Sequence, residues 1–521
     1  MGRHEKSNTR SVGAELAAIL PTDNVAWFRR KGLVKLNFYL FSLMLLSSAN
    51  GYDGSMMNGL QALDQWQDFM SHPTGAWLGF VNAIQPIGAV ITYPVSAWVV
   101  QRYGRRTGIW IGYFFLVVST ALQTAAPNDV AFIIARFLLG PASAWYATAV
   151  PLLITECAYP THRGIVTALY NCGWYVGSLI AAWATFGTRD YEDSWAWRIP
   201  SVLQAVIPLA ALPGFIFGPE SPRWLFSMSR NEEARKILLD YHADGNMDSL
   251  FVDFEMREIE TTIRMEQEAN KTTSWADLFK TKGNRQRAFI SITLGVFAQW
   301  NGSGVVSYYL ALVLETVGIT DVTHQTLISG CLQIWNLFFA VLAAFSVDRF
   351  GRRFLFLTSC GGMLATYIVI TGLSGSFAQT GNAPVGTAVI PFLFLYYGFY
   401  DIAFTPLLFS YPVEIWPYRL RARGLSLTLF STMVAVSFNI FVNPIALEAV
   451  AWKYYIVFVA ILVGGSFICY FCYPETRGYT LEEIAVVFDG DEAKVPSLVV
   501  NKEGTALDGN KTSSVSRVEI F

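Results

Sequence analysis

At 521 residues the chain is long enough for about three or four soluble domains, yet only 15% of its residues are charged, where soluble proteins carry about 25%. Hydrophobic residues make up 53%, and 16 Trp, 24 Tyr, 38 Phe and 41 Gly suit helices in lipid better than helices in water. That composition excludes a soluble enzyme, and Lys and Arg total 37 against 39 acids, a net charge of −2, which implies no polyanion partner.

The first 32 residues are polar and contain no apolar core before a cleavage site, so the first span is expected to act as its own insertion signal. A helix needs about 20 mostly apolar residues to cross a bilayer. Twelve such stretches follow, near 33–52, 76–100, 107–126, 129–156, 164–187, 199–218, 288–314, 326–347, 354–374, 386–413, 424–447 and 455–473. The tails and the even-numbered connections hold 33 of the 37 Lys and Arg, and the odd-numbered connections hold three. That asymmetry predicts that both termini are cytoplasmic. The fold class read here is an all-α integral membrane protein of 12 transmembrane helices in two six-helix bundles.

The bundles follow from an internal repeat. "QRYGRR" at 101–106 recurs as "DRFGRR" at 348–353; Glu156 with Arg163 recurs as Glu414 with Arg421; "PES" at 219–221 recurs as "PET" at 474–476. The domains are therefore a tail at 1–32, a bundle at 33–218, a loop at 219–287, a second bundle at 288–473 and a tail at 474–521. Parallel repeats of this size mark a transporter that rocks about a site between its halves. The 219–287 segment holds 24 of the 76 charged residues. Ser229 and Glu232 there read as a capping box. Ala234, Ile237, Leu238 and Tyr241 share one helical face, Met256, Ile259 and Ile263 mark a second amphipathic helix, and Ser274 caps a short third. A latch and a plain linker both fit the segment. Asn270 and Asn510 match the glycosylation acceptor pattern but fall on the cytoplasmic side, so no modification is expected. The six Cys fall in or beside apolar stretches, which reads as packing rather than a disulfide framework.

Six strings stand in one order: "GYDGSMMNG" (51–59), "RFLLG" (136–140), "PESPRWL" (219–225), "VDRFGRR" (347–353), "PVEIWPYRLRARG" (412–424) and "PETRGYTLEEI" (474–484). With them, the chain resembles the sugar porter family of the major facilitator superfamily over roughly 35–485. "SWAWRIP" (194–200), "QWNGSGVVSYY" (299–309) and "VNPIAL" with "WKYYIVF" (442–458) look like the fungal branch. Within it the chain is most similar to lactose-permease-like disaccharide carriers.

The resemblance implies alternating access around a central sugar site. Asp53 and Arg136 stand where family proton symporters place the proton-carrying acid and its Arg. A static ion pair, or an Asp wetted at the outer mouth, is the alternative. An ionisable residue at membrane depth costs about 2.5–3.5 kcal/mol on insertion scales, which marks it as a functional candidate. Asp401 is a second such acid, one that the family motifs do not require. A substrate hydroxyl, a substrate cation, a proton or a structural bond to a neighbouring helix would each explain it. Aligned on the motifs, Asn171, Gln299, Tyr308, Tyr309, Asn336, Phe409 and Thr432 fall at sugar-binding positions, and Gln333 shares a helix face with Asn336. Ala298, Gly304 and Phe409 replace bulkier or more polar residues. The departures favour a ligand larger than one hexose or, equally, a different solute.

The same resemblance predicts a cytoplasmic gate. Its cations are Arg102, Arg105, Arg106, Arg163, Arg223, Arg349, Arg352, Arg353, Arg421 and Arg477. Its acids are Glu156, Glu220, Asp348, Glu414 and Glu475, with Gln101 in place of the first motif's acid. Such pairs are expected to lock the halves when the site faces outward. A positive loop kept only for topology is the alternative. No phosphate-binding G-x-x-x-x-G-K-[ST] loop is present, and the five His are scattered without metal-ligand spacing. No cofactor or metal is expected. The expected partners are a sugar, protons and the lipid bilayer, and the expected setting is a monomer in the plasma membrane. A carrier for a polyol, a quinate-like acid or a secondary metabolite, and a non-transporting sugar receptor, are the rival classes.

Overall fold

The computed structural model describes residues 27–477 and 481–489, and all regular structure among them is helical. In chain order the helices are α1 (Lys31–Gln61), α2 (Asp64–Phe69), α3 (Gly75–Tyr103), α4 (Arg105–Thr124), α5 (Asp129–Cys157) and α6 (Pro160–Thr188). Then come α7 (Trp195–Leu203), α8 (Val206–Phe217), α9 (Pro222–Ser227), α10 (Asn231–His242), α11 (Leu250–Thr272) and α12 (Asp277–Lys280). The remainder are α13 (Lys282–Trp300), α14 (Ser303–Glu315), α15 (Val322–Phe350), α16 (Arg352–Thr380), α17 (Ala383–Thr387), α18 (Val389–Ile415), α19 (Tyr418–Val450), α20 (Tyr455–Cys472) and α21 (Leu481–Asp489).

Nine stretches of the described residues are long and apolar enough to cross a membrane, and one of them, Arg419–Cys472, runs through both α19 and α20. Phe114, Phe430, Phe467 and Phe471 stand outward and exposed, as the lipid-facing surface of a multi-pass membrane protein requires. The stretch at 288–314 is not one helix. Gly302 sits at φ +103, in the left-handed region, and the Asn301 side chain accepts from Ser303 N at 2.9 Å. The Asn-Gly pair thus ends α13 and starts α14, and Tyr309 bends α14 again at φ −140, ψ 34.

Helices before residue 218 pack mainly on one another, and so do those after 282. Close approach is set by small residues. A Cβ on Gly51 would lie 1.9 Å from Trp174 O, and one on Gly177 would lie 1.9 Å from Ser48 O, so α1 and α6 touch backbone to backbone. Between the two groups, α1 meets α14, α3 meets α19, and α6 meets α15.

Helices α9–α11 cap the end of the first group where α1 begins, with Gly32 N donating to Asp244 Oδ1 at 2.5 Å. We call this the loop side and the opposite end the far side. Ser229 does not start α10. It lies at φ +61, Arg230 is the cap residue without a side-chain cap bond, and Arg230 grips Glu233 instead at 2.5 and 2.7 Å. The expected face does pack: Ala234 and Leu238 are buried, and Ile237, Tyr241, Met256 and Ile259 rest on the neighbouring cores. His242 is buried between Glu255 Oε2 at 2.8 Å and Cys157 O at 3.2 Å, tying α10 and α11 to the end of α5. Ser274 Oγ accepts from Ala276 N at 3.4 Å just before α12. Asn510 and the outer parts of both tails lie outside the described residues, as does the side chain of Asn270.

Candidate functional site

Asp53 and Arg136 meet. Arg136 Nη1 donates to Asp53 Oδ1 at 2.6 Å and Nη2 lies 3.5 Å from Oδ2, with both residues buried between α1 and α5. Taking one partner from a buried pair leaves an uncompensated charge, at about 3–5 kcal/mol. Arg136 Nε has no partner among the described residues, and Tyr308 of α14 packs beside Gly54, one residue past the acid.

Asp401 is fully buried in α18. Its Oδ1 accepts from Tyr175 of α6 at 2.5 Å and from Thr405 at 2.9 Å, while its Oδ2 is buried without a partner among the described residues. Tyr175 belongs to the first group of helices and Asp401 to the second, so this bond joins them. Further joining bonds lie toward the far side, among them Arg189 Nε to Thr323 Oγ1 at 3.4 Å. Asn58 Oδ1 accepts from Leu310 N at 2.9 Å, and Gln61 Nε2 donates to Tyr308 O at 3.0 Å. There too, Gly75 and Gly79 of α3 press on Glu448 and Phe441 of α19, and Trp183 lies against Gly330.

On the loop side each group builds a clasp of the same design. Arg105 grips Glu156 through two bonds of 2.8 Å, and Arg352 grips Glu414 at 2.8 to 3.1 Å. Glu220 accepts from Arg106 N at 3.0 Å and Ser221 N at 2.8 Å. Glu475 accepts likewise from Arg352 N, Arg353 N, Thr476 N and Arg477 N at 2.8 to 3.0 Å. Gly104 (φ +102) and Gly351 (φ +88) turn the chain between the paired helices, and a Cβ on either would stand 2.5 or 2.7 Å from Glu220 or Glu475. Burial pushes the Glu220 carboxyl above the ordinary carboxylate range, against the pull of the Ser221 and Arg106 amides and the two nearby guanidinium groups. These clasps lie within one group of helices each. Arg223 reaches Glu266 at 3.3 Å, and Arg353 donates to Tyr470 O at 2.8 Å. Arg102, Arg163, Arg349 and Arg477 are exposed and Arg421 is half-buried. The Asp348 side chain lies outside the described residues.

The profile of the family described as "Sugar (and other) transporter" matches residues 40–488. The chain belongs to this sugar porter family of the major facilitator superfamily. It is a transporter, not an enzyme. It is 28% identical to the MFS-type transporter oryC of Aspergillus oryzae, over 88% of this chain and 85% of that one. It is also 28% identical to the high-affinity glucose transporter of Kluyveromyces lactis, over 83% of this chain and 81% of that one. Among solved structures, the proton:xylose symporter XylE from E. coli shares the fold at a TM-score of 0.70 and 21% identity, over 87% of this chain and 99% of XylE.

In this sugar porter the expected sugar-binding residues differ in burial and in their hydrogen-bond partners. Asn171, Gln299, Tyr308 and Gln333 are half-buried, and Phe409 is exposed. Asn336 is buried with Oδ1 unpartnered among the described residues. Tyr309 is fully buried and donates to Ile440 O at 2.6 Å, and Thr432 donates back to Thr428 O at 2.8 Å; both hydroxyl protons serve packing. Nor is the space at Gly304 open. A Cβ there would stand 2.2 Å from Asn439 Nδ2, and that amide donates to Gln299 O at 2.8 Å. Ala298 is fully buried. The residues that motif reading missed are Tyr175, Asn58, Gln61 and Asn439. Tyr175 carries a readable signal, one turn beyond Asn171 on the same face of α6.

Proposed function

We propose that this sugar porter moves a sugar across the membrane by alternating access, coupled to a proton through Asp53 and Arg136. The buried pair carries the reading: an acid held at membrane depth by a single guanidinium can exchange that partner for a proton. That a fold neighbour is a proton:xylose symporter supports it. In this reading twelve spans form two six-helix bundles, 33–218 and 288–473, with 1–32, 219–287 and 474–521 on the cytoplasmic side of the plasma membrane. The excess of Lys and Arg on that side supports the orientation. The far-side bonds between α1 and α14 then close the outer mouth, and the state described faces inward. The loop-side clasps act by fixing each bundle's inner rim, and a single chain is the working unit.

A disaccharide such as lactose is the proposed cargo. With Gly304 filled and Ala298 buried, Phe409 is the departure that still supports a larger ligand, together with the likeness to lactose-permease-like carriers. Uptake of a panel of radiolabelled sugars in transport-deficient yeast at two external pH values tests both parts. A disaccharide should accumulate, and more so at the lower pH. Glucose as the best competitor would sink the size preference, and competition by no sugar would turn the cargo to a polyol, an acid or another solute.

A further inference from the structure

We propose that Asp401 is a second proton-binding site, whose protonated form ties α18 to α6 across the two bundles. The inference adds to the symport reading above and rests on it only for the direction of proton flow.

The geometry distinguishes the two intramembrane acids. Asp53 holds a guanidinium on its carboxylate. Asp401 is as deeply buried but meets no cation among the described residues: its bonds are the two hydroxyls of Tyr175 and Thr405, both on Oδ1. The titratable groups near it are Tyr175 and Cys172 on α6, Tyr397 and Tyr400 on α18, and Tyr308 beyond them on α14. None brings a positive charge. An ionised carboxylate taken out of water without a counter-ion is far costlier than a neutral one. A proton on Oδ2 removes that charge. Oδ1 is then the carbonyl oxygen, and two incoming hydroxyl donors are what a carbonyl oxygen with two lone pairs accepts. Oδ2, unpartnered among the described residues, is where the proton sits. Because Tyr175 and Asp401 belong to opposite bundles, rocking must break their bond. The carboxyl then meets water and can give up the proton taken from the other side.

Infrared spectroscopy of the purified protein tests this without any substrate. The wild type should show a protonated-carboxyl C=O band that titrates with pH. The band should vanish in Asp401→Asn, shift in Tyr175→Phe and persist in Asp53→Asn. Tyr175→Phe keeps the carboxyl and removes only the crossing bond, so it decides the matter should Asp401→Asn fail to fold. In proteoliposomes the proton-to-sugar ratio should fall in Asp401→Asn while sugar exchange continues. A band untouched by both variants, or an unchanged ratio with intact exchange, would overturn the proposal. A wild type that moves sugar with no proton, yet shows the Asp401 band, would sink the symport reading and leave the site standing.

Discussion

Arg136 has one carboxylate to answer it, and the consequences of that pairing separate stability from coupling. Asp53→Asn should lower thermal stability in detergent by about 3–5 kcal/mol, because the guanidinium stays buried and unpaired. Adding Arg136→Gln should recover much of that loss, since both charges are then gone, while concentrative uptake stays abolished in both variants and exchange persists. A single variant that melts like the wild type would show that the pair is not what holds α1 to α5. At Gly304 the arithmetic is steric. Gly304→Ala drives a methyl into Asn439, an overpacking worth about 1–3 kcal/mol, and Asn439→Ala should relieve it. Melting curves of the single and double variants check this, and a single variant of full stability would show that the Asn439 amide moves aside freely. Asp53, Arg136 and the clasp acids were readable because charges at membrane depth and fixed motif spacings are rare. Asn58 and Gln61 were not, because each bonds a backbone atom more than 240 residues away, and a backbone atom leaves no mark in the side-chain pattern. The occupant of the space at Gly304 was hidden for the same reason: Asn439 reaches it from another helix.

Helix pairs, taken one at a time, show which sequence features control the joints. The turn glycines Gly104 and Gly351 were legible as repeated motifs, and the structure adds that each is needed twice over, for its left-handed backbone and for the carboxylate pressed against it. Gln101 is exposed, and it is its backbone carbonyl that accepts from Trp224 Nε1 at 2.9 Å. The first clasp is made by Glu156 and Glu220. A hydrogen bond to a charged group contributes about 1.5–3 kcal/mol. Glu156→Gln and Glu414→Gln should therefore each slow transport by about tenfold or more, and Gln101→Ala should stay within about twofold. Comparable losses at all three positions, in initial-rate measurements, would show that position 101 takes part after all. The break at Asn301–Gly302 was not foreseen, since apolar content continues through it and hydropathy does not register a turn of two residues.

Across the whole molecule, the repeat implied two similar bodies but said nothing of how one is tilted on the other. Tilt is set by bonds between them, and the far-side bonds from Asn58 and Gln61 are two of these. At about 0.5–1.5 kcal/mol each, their joint loss should shift the balance of states by roughly 5- to 150-fold. Spin labels at the far-side ends of α1 and α14 should report longer distances in the Asn58→Ala, Gln61→Ala double variant. Distances that match the wild type would mean that the remaining contacts between the two groups hold that end together without these two bonds.

These two amides recognise main chain, not side chains, and this bears on how such a protein can diversify. A bundle that reads its partner's N–H and C=O groups is indifferent to which residues stand at 308 and 310, so this part of the seal need not co-evolve with either bundle's specificity. Chimeras that join residues up to the 219–287 loop with the second bundle of a relative should keep a closing mouth even where the contacting side chains differ. Proline at 310 is the exception, since it alone has no N–H to offer Asn58.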